Sequence, residues 1–148
     1  MKFFAVLAAL AVSALAAPAS DAAAASTPVS VSFDTVYDNS GQSLATVTCS
    51  DGSNGLLTKG FTTFGSLPGF ANIGGAGAVE AFNSANCGSC WQLTFNGTSI
   101  NVLAIDHAAA GTFNIALSAM NKLTHNQATF LGRVNAQATQ VASSACGL

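Results

Sequence analysis

Apolar and polar positions alternate with a period of two near both ends of the chain. Val29, Val31 and Phe33 alternate with Ser30, Ser32 and Asp34, and Val134, Ala136 and Ala138 alternate with Asn135, Gln137 and Thr139. Successive side chains of a strand point to opposite faces, so these stretches predict half-buried strands over 29–33 and 134–139. Residues 43–49 (SLATVTC) predict another strand, while 50–86 is broken by glycines and predicts mostly loop with short pieces of structure, including a turn at Leu67-Pro68-Gly69. Trp91, Leu93 and Phe95 then alternate up to Asn96-Gly97, and Ile100, Val102 and Ile105 follow. Asn-Gly tolerates the positive φ angles of a type I′ turn, so this segment predicts a β-hairpin. Ala116, Ala119, Met120 and Leu123 stand at helical spacing and predict a short helix over 115–123. The sum is a mainly β (α+β) fold with about six short strands, a small barrel with appended helices.

The N-terminus changes how the rest is read. Lys2 precedes an apolar run over 3–17, and small residues follow at Ala17-Pro18-Ala19. The run is shorter than the roughly 20 residues a membrane span needs and lacks anchoring flanks. Residues 1–19 therefore predict a secretory signal peptide, 20–28 a short propeptide or disordered N-terminus, and 29–148 a single domain. Secretion puts the protein outside the cell, where disulfides persist.

Charge narrows the partners. After Ser26 the chain carries only Asp34, Asp38, Asp51, Glu80 and Asp106 against Lys59, Lys122 and Arg133. Without a basic cluster, neither nucleic acid nor an anionic membrane is an expected partner. A neutral surface rich in Gly, Ser, Thr and Asn suits a neutral ligand such as a glycan.

The four cysteines are Cys49, Cys87, Cys90 and Cys146. A redox CxxC needs its first cysteine at a helix N-terminus, but Cys87-Gly-Ser-Cys90 runs into a strand pattern. A zinc site needs four converging ligands, and only one close pair exists, with His107 and His125 at no metal-ligand spacing. No metal or cofactor is expected. Two disulfides are, and the spacing alone leaves three connectivities open.

Candidate chemistry is sparse. Asp106 closes the apolar run INVLAID and precedes the flexible His107-Ala-Ala-Ala-Gly111, which places its carboxylate at a strand end facing a groove; a loop-ordering aspartate reads equally well. A glycosidase needs a second carboxylate across the scissile bond, and Asp34, Asp38, Asp51 and Glu80 are the candidates. Asp51 sits in the turn-rich CSDGSNG (49–55), which offers hydroxyl and amide groups to a sugar or simply forms turns. Tyr37, Phe82 and Trp91 offer rings for stacking, although core packing is the plainer role for Trp91. His107 and His125 read as surface or loop residues.

Together VSVSFDTVYD (29–38), CSDGSNGL (49–56), FGSLPGF (64–70) with Ile73-Gly-Gly75, CGSCW (87–91), AIDHA (104–108), FNI (113–115) and the terminal CGL (146–148) resemble the cerato-platanin family, small secreted fungal proteins. The resemblance runs from about residue 29 to the end. It implies a six-stranded double-ψ β-barrel like that of expansin domains and disulfides pairing Cys49 with Cys87 and Cys90 with Cys146. It also implies a groove for chitin-type N-acetylglucosamine oligomers formed by Tyr37, Asp38, Ser50, Asp51, Gly52, Asn54, Asp106 and Asn114.

The implied activity is non-hydrolytic: expansin-like loosening of cell-wall polysaccharide and perception by a plant host receptor as an elicitor. The implied location is extracellular, at the fungal cell wall, as a monomer that can self-assemble at interfaces. Asp106 stands where related barrel hydrolases carry a catalytic aspartate, and one unassisted carboxylate favours binding over cleavage. The chain departs from the family pattern at Ala81-Phe82, where Gly-Trp is usual, at Phe33, where tyrosine is common, and in a loop after Asp106 that is one residue longer. Asn96-Gly-Thr98 is a glycosylation sequon on the hairpin turn.

Overall fold

A computed structural model describes residues 24–148, so the predicted signal peptide and residues 20–23 lie outside the described residues. The six strands are β1 (Thr27–Phe33), β2 (Ile73–Ala76), β3 (Cys90–Phe95), β4 (Thr98–His107), β5 (Thr112–Ile115) and β6 (Arg133–Val141). They close into a barrel in the order β1-β5-β2-β4-β3-β6, with β1/β5 and β2/β4 parallel and the other pairs antiparallel. Closure leaves no unpaired sheet edge.

The alternating segments form strands as their pattern predicts. In β6, Val134, Ala136 and Ala138 are buried and Arg133, Asn135 and Gln137 exposed. The β3–β4 hairpin turns at Asn96 (φ 45°) and Gly97 (φ 79°), the positive pair a type I′ turn requires, and Leu93 faces Ile100. β1 begins at Thr27, two residues before its predicted start, because Thr27 and Pro28 pair with Ala138 and Gln137.

Two expectations need correction. Residues 43–49 form no strand: Leu44–Thr46 make a single 3-10 turn capped by the Ser43 hydroxyl, and only Ser43 bridges, to Thr63. Leu44, Val47 and Cys49 are buried at irregular spacing, which matched a strand pattern by coincidence. The helix α1 spans Leu117–Leu123, because Ile115 belongs to β5, and a second helical turn, α2, spans Ala128–Leu131. The segment 50–86 is mostly loop with short pieces, one of which is β2.

The disulfides join Cys49 to Cys87 and Cys90 to Cys146, as the resemblance implies. By the chain-entropy relation, loops of 38 and 56 residues are each stabilised by about 4 kcal/mol. The first bond ties the non-strand segment 34–72 to the stretch leading into β3. That segment also places Tyr37, Leu44, Leu56 and Phe64 in the core, each at most 5% exposed.

Candidate functional site

Paired residues on neighbouring strands share a face, so the ladder fixes which side chains form a row. Arg133 pairs with Ser32, Ser32 with Asn114, Asn114 with Gly75, and Gly75 with Asp106. These five positions cross β6, β1, β5, β2 and β4 and span roughly 19 Å at about 4.8 Å per strand. Ser32 donates to Asn114 Oδ1 at 3.1 Å, and Arg133 donates to the neighbouring Ser30 hydroxyl at 2.7 Å. The glycine at the centre is required by space, since a Cβ on Gly75 would lie 2.6 Å from the His107 carbonyl oxygen.

Asp106 joins the row only because of a register shift. Gly74 pairs with Ala104 and Gly75 with Asp106, so Ile105 is skipped and its carbonyl accepts the Cys49 N–H at 3.2 Å. An extra residue of this kind re-aims the side chain that follows. Without it, Asp106 would alternate onto the face of Val102 and Ala104, which are buried.

The Asp106 carboxylate is held by four donors. Oδ1 accepts from the Thr48 N–H (2.9 Å), the Thr48 hydroxyl (2.6 Å) and the His107 N–H (2.8 Å), while Oδ2 accepts from the Tyr37 hydroxyl (3.1 Å). Oδ1 is fully occupied, and Oδ2 retains capacity for one more donor. Burial, then the charge of Asp106 and the hydrogen bond to it, with a smaller contribution from Asp34, push the Tyr37 phenol well above its ordinary range. Tyr37 therefore remains a protonated donor.

A family model described as Cerato-platanin matches residues 29–148. The chain belongs to the cerato-platanin family. It is 55% identical over 130 residues to the Allergen Asp f 15 homolog of Arthroderma benhamiae, a match covering 86% of this chain; the chain spans 62% of that relative's length. The crystal structure of cerato-platanin 2 from M. perniciosa is 47% identical and superposes with a TM-score of 0.77 over 82% of this chain and all of that one. The solution structure of the fungal elicitor Cerato-Platanin is 38% identical, with a TM-score of 0.71 over 80% and 96% of the two chains. A Clavibacter michiganensis expansin in complex with cellohexaose is 16% identical and shares the fold, with a TM-score of 0.58 over 80% of this chain and 51% of that one. The barrel is thus the double-ψ type of expansins.

In this cerato-platanin the structure brings Tyr37, Asp106 and Asn114 together and adds three residues the sequence did not single out: Ser32, Thr48 and Gly75. Thr48 had no sequence signal, since its contact spans 58 positions. Gly75 had one, because paired glycines between Ile73 and Ala76 mark a close backbone approach. Asp38 caps α1: Oδ2 accepts from the Leu117 N–H (2.7 Å) and Oδ1 from the Ser118 N–H (3.0 Å), satisfying the first turn of the helix.

Ser50, Asp51, Gly52 and Asn54 lie in the loop that follows Cys49. Asp51 Oδ1 accepts from the Gly52 N–H (2.8 Å) and the Thr58 hydroxyl (3.1 Å). The Asn54 N–H donates to Asn83 Oδ1 and its side-chain amide to the Asn83 carbonyl, both at 2.9 Å, fastening this loop to the one that carries Phe82. Phe82 is 61% exposed, and Ser50 is half-buried. His107 and His125 are both exposed; the first ring contacts the Val79 carbonyl and the second the Thr98 hydroxyl. Asn96 is exposed at the hairpin tip. Among the described residues no three His, Cys, Asp or Glu side chains converge on a metal position.

Proposed function

We propose that this chain is a secreted, non-hydrolytic fungal protein that binds chitin-type N-acetylglucosamine oligomers across the row from Asp106 to Arg133, with the Asp51–Asn54 loop and Phe82 at its edge. The observation that carries this reading is the state of the Asp106 carboxylate. With Oδ1 occupied by three donors and Oδ2 by Tyr37, it is a fixed acceptor for one ligand N–H or O–H and is poorly free to shuttle protons. Among the described residues, three of the four other acidic side chains are already engaged: Asp34 accepts from the Val36 N–H, Asp38 caps α1, and Asp51 orders its own loop. Hydrolysis needs a partner carboxylate on the opposite side of the bond, and these positions are already employed.

The fungal relatives support a role at the cell wall, with secretion directed by residues 1–19. The relative called a fungal elicitor supports elicitor activity, read by a plant host receptor, and the cellohexaose-bound expansin with the same fold supports expansin-like loosening of wall polysaccharide. Asn96 at the exposed hairpin tip is the proposed glycosylation site. A second reading, a surface-active wall protein, is favoured by Phe130, a large apolar side chain 89% exposed.

The test is a titration of the disulfide-intact protein with chito- and cello-oligosaccharides, following backbone amide shifts and assaying the same tubes for reducing ends. Saturable shifts around Asp51, Asp106 and Asn114, without product and at least tenfold weaker in Asp106→Ala, are expected. New reducing ends would move the protein to the hydrolases. No shifts at all would leave the surface-active reading in front.

A further inference from the structure

A second concavity opens beyond the polar row, at the mouth of the barrel. It has a volume of about 230 Å³ and is formed by Trp91, Phe113, Val29, Ala110 and the two threonines Thr27 and Thr112. Barrel mouths are a recurrent location for small ligands. Trp91 is held firmly there: its indole N–H donates to the Ser89 hydroxyl at 2.8 Å, and its ring meets Phe113 edge-on with centroids 5.7 Å apart. It is only half-buried, so part of the ring remains available. The opposite wall is Ala110 and Gly111, in the loop that follows β4. This loop packs so closely on Gly77 that a Cβ there would lie 2.6 Å from the Ala109 carbonyl oxygen.

The lining constrains the ligand. It contains no charged side chain, which disfavours ions. The Thr27 hydroxyl donates to the Ala138 carbonyl, so towards the cleft its oxygen accepts. The space suits one ring rather than an oligomer. A flat apolar face for the indole combined with a hydroxyl donor at the edge describes a pyranose. We infer that the barrel mouth is a second binding site, for a single neutral sugar ring stacked on Trp91 with a hydroxyl donating to Thr27. Phe113 of the mouth and Asn114 of the row are consecutive in β5 and point to opposite faces, so the sites adjoin but use different side chains.

Trp91 is the only tryptophan of the chain, so its emission reports this cleft directly. Glucose and N-acetylglucosamine, added singly to the disulfide-intact protein, should each change the emission saturably, with the same midpoint in Asp106→Ala. Ala110→Leu fills the cleft from an exposed loop position while leaving Trp91 and the barrel in place, and should weaken the response at least tenfold. No saturable change, or a response unaffected by Ala110→Leu, would overturn the inference. So would a response to phenol without one to either sugar, which would mark the cleft as an aromatic-ring site. Oligosaccharide shifts at the polar row are read separately by amide resonances, so failure of that groove and failure of this cleft are distinguishable.

Discussion

The barrel strands and the segment 34–72 both place side chains in one core but are held together by different means. Each strand satisfies its backbone through a ladder, whereas the segment offers three single-turn 3-10 helices and one isolated bridge. Its order comes from side chains that bond backbone, such as Asp34, Ser43 and Ser66, and from the Cys49–Cys87 bond. Asp106 lies on the seam, a barrel residue whose carboxylate receives a backbone N–H and two hydroxyls from the segment. The groove carboxylate is therefore also a structural tie, and whatever loosens the segment should degrade the site before it degrades the barrel.

The largest expected effect comes from removing the Cys49–Cys87 bond. Replacing both cysteines by serine should cost about 4 kcal/mol. Amide exchange should accelerate across 34–72 while β3 and β6 stay protected; uniform acceleration would show that the two regions unfold as one unit. Next is Gly75→Ala, which strikes the barrel side of the seam. The added methyl meets a backbone oxygen that cannot swing aside, so a loss of about 2–3 kcal/mol is expected in denaturant unfolding. Asp38→Ala should cost about 1–2 kcal/mol by stripping two N–H groups of α1 of their acceptor, while leaving oligosaccharide binding within twofold. A larger binding loss would place Asp38 in the groove after all.

The smallest effect is expected from Tyr37→Phe, at about 1 kcal/mol near neutrality. Its signature lies in alkali. The folded phenol ionises above its ordinary value, so stability is full below pH about 10 and falls as pH rises past it, because the unfolded chain releases its proton first. The decline is at most about 1.4 kcal/mol per pH unit for one proton, and it should be missing from Tyr37→Phe. Tyr37 is the only tyrosine, so phenolate absorbance follows the same event directly; titration at the ordinary value in the folded protein would contradict the bond to Asp106.

Strands whose faces differ in polarity were legible in the sequence: β1, β3 and β6 alternate, while β4 showed as an apolar run after the hairpin turn. β2 was not, because Gly74 and Gly75 carry no side chains to alternate, their places dictated by the backbone oxygens of Asn114 and His107. SLATVTC misled because its buried residues answer to a turn and a disulfide rather than a ladder. Asp106 was legible as a carboxylate closing a strand, and the family motifs pointed to Tyr37 and Asn114. The donors that fix the Asp106 carboxylate were hidden, because Thr48 reaches it across a long stretch of chain. Asp38 shows the converse: a carboxylate beside a groove residue whose job only the position of α1 reveals.

The residue skipped at Ile105 carries an implication for comparing related barrels. With Ile105 present, the skip in pairing decides whether the next carboxylate reaches the polar row or is turned to the opposite side of the strand. A homologue that kept all three residues but paired Ile105 in register with Gly75 would keep every row residue in its alignment column and still present a blank surface. Pairing register at the Ala104–Asp106 step is thus as informative as residue identity in recognising which relatives share the site.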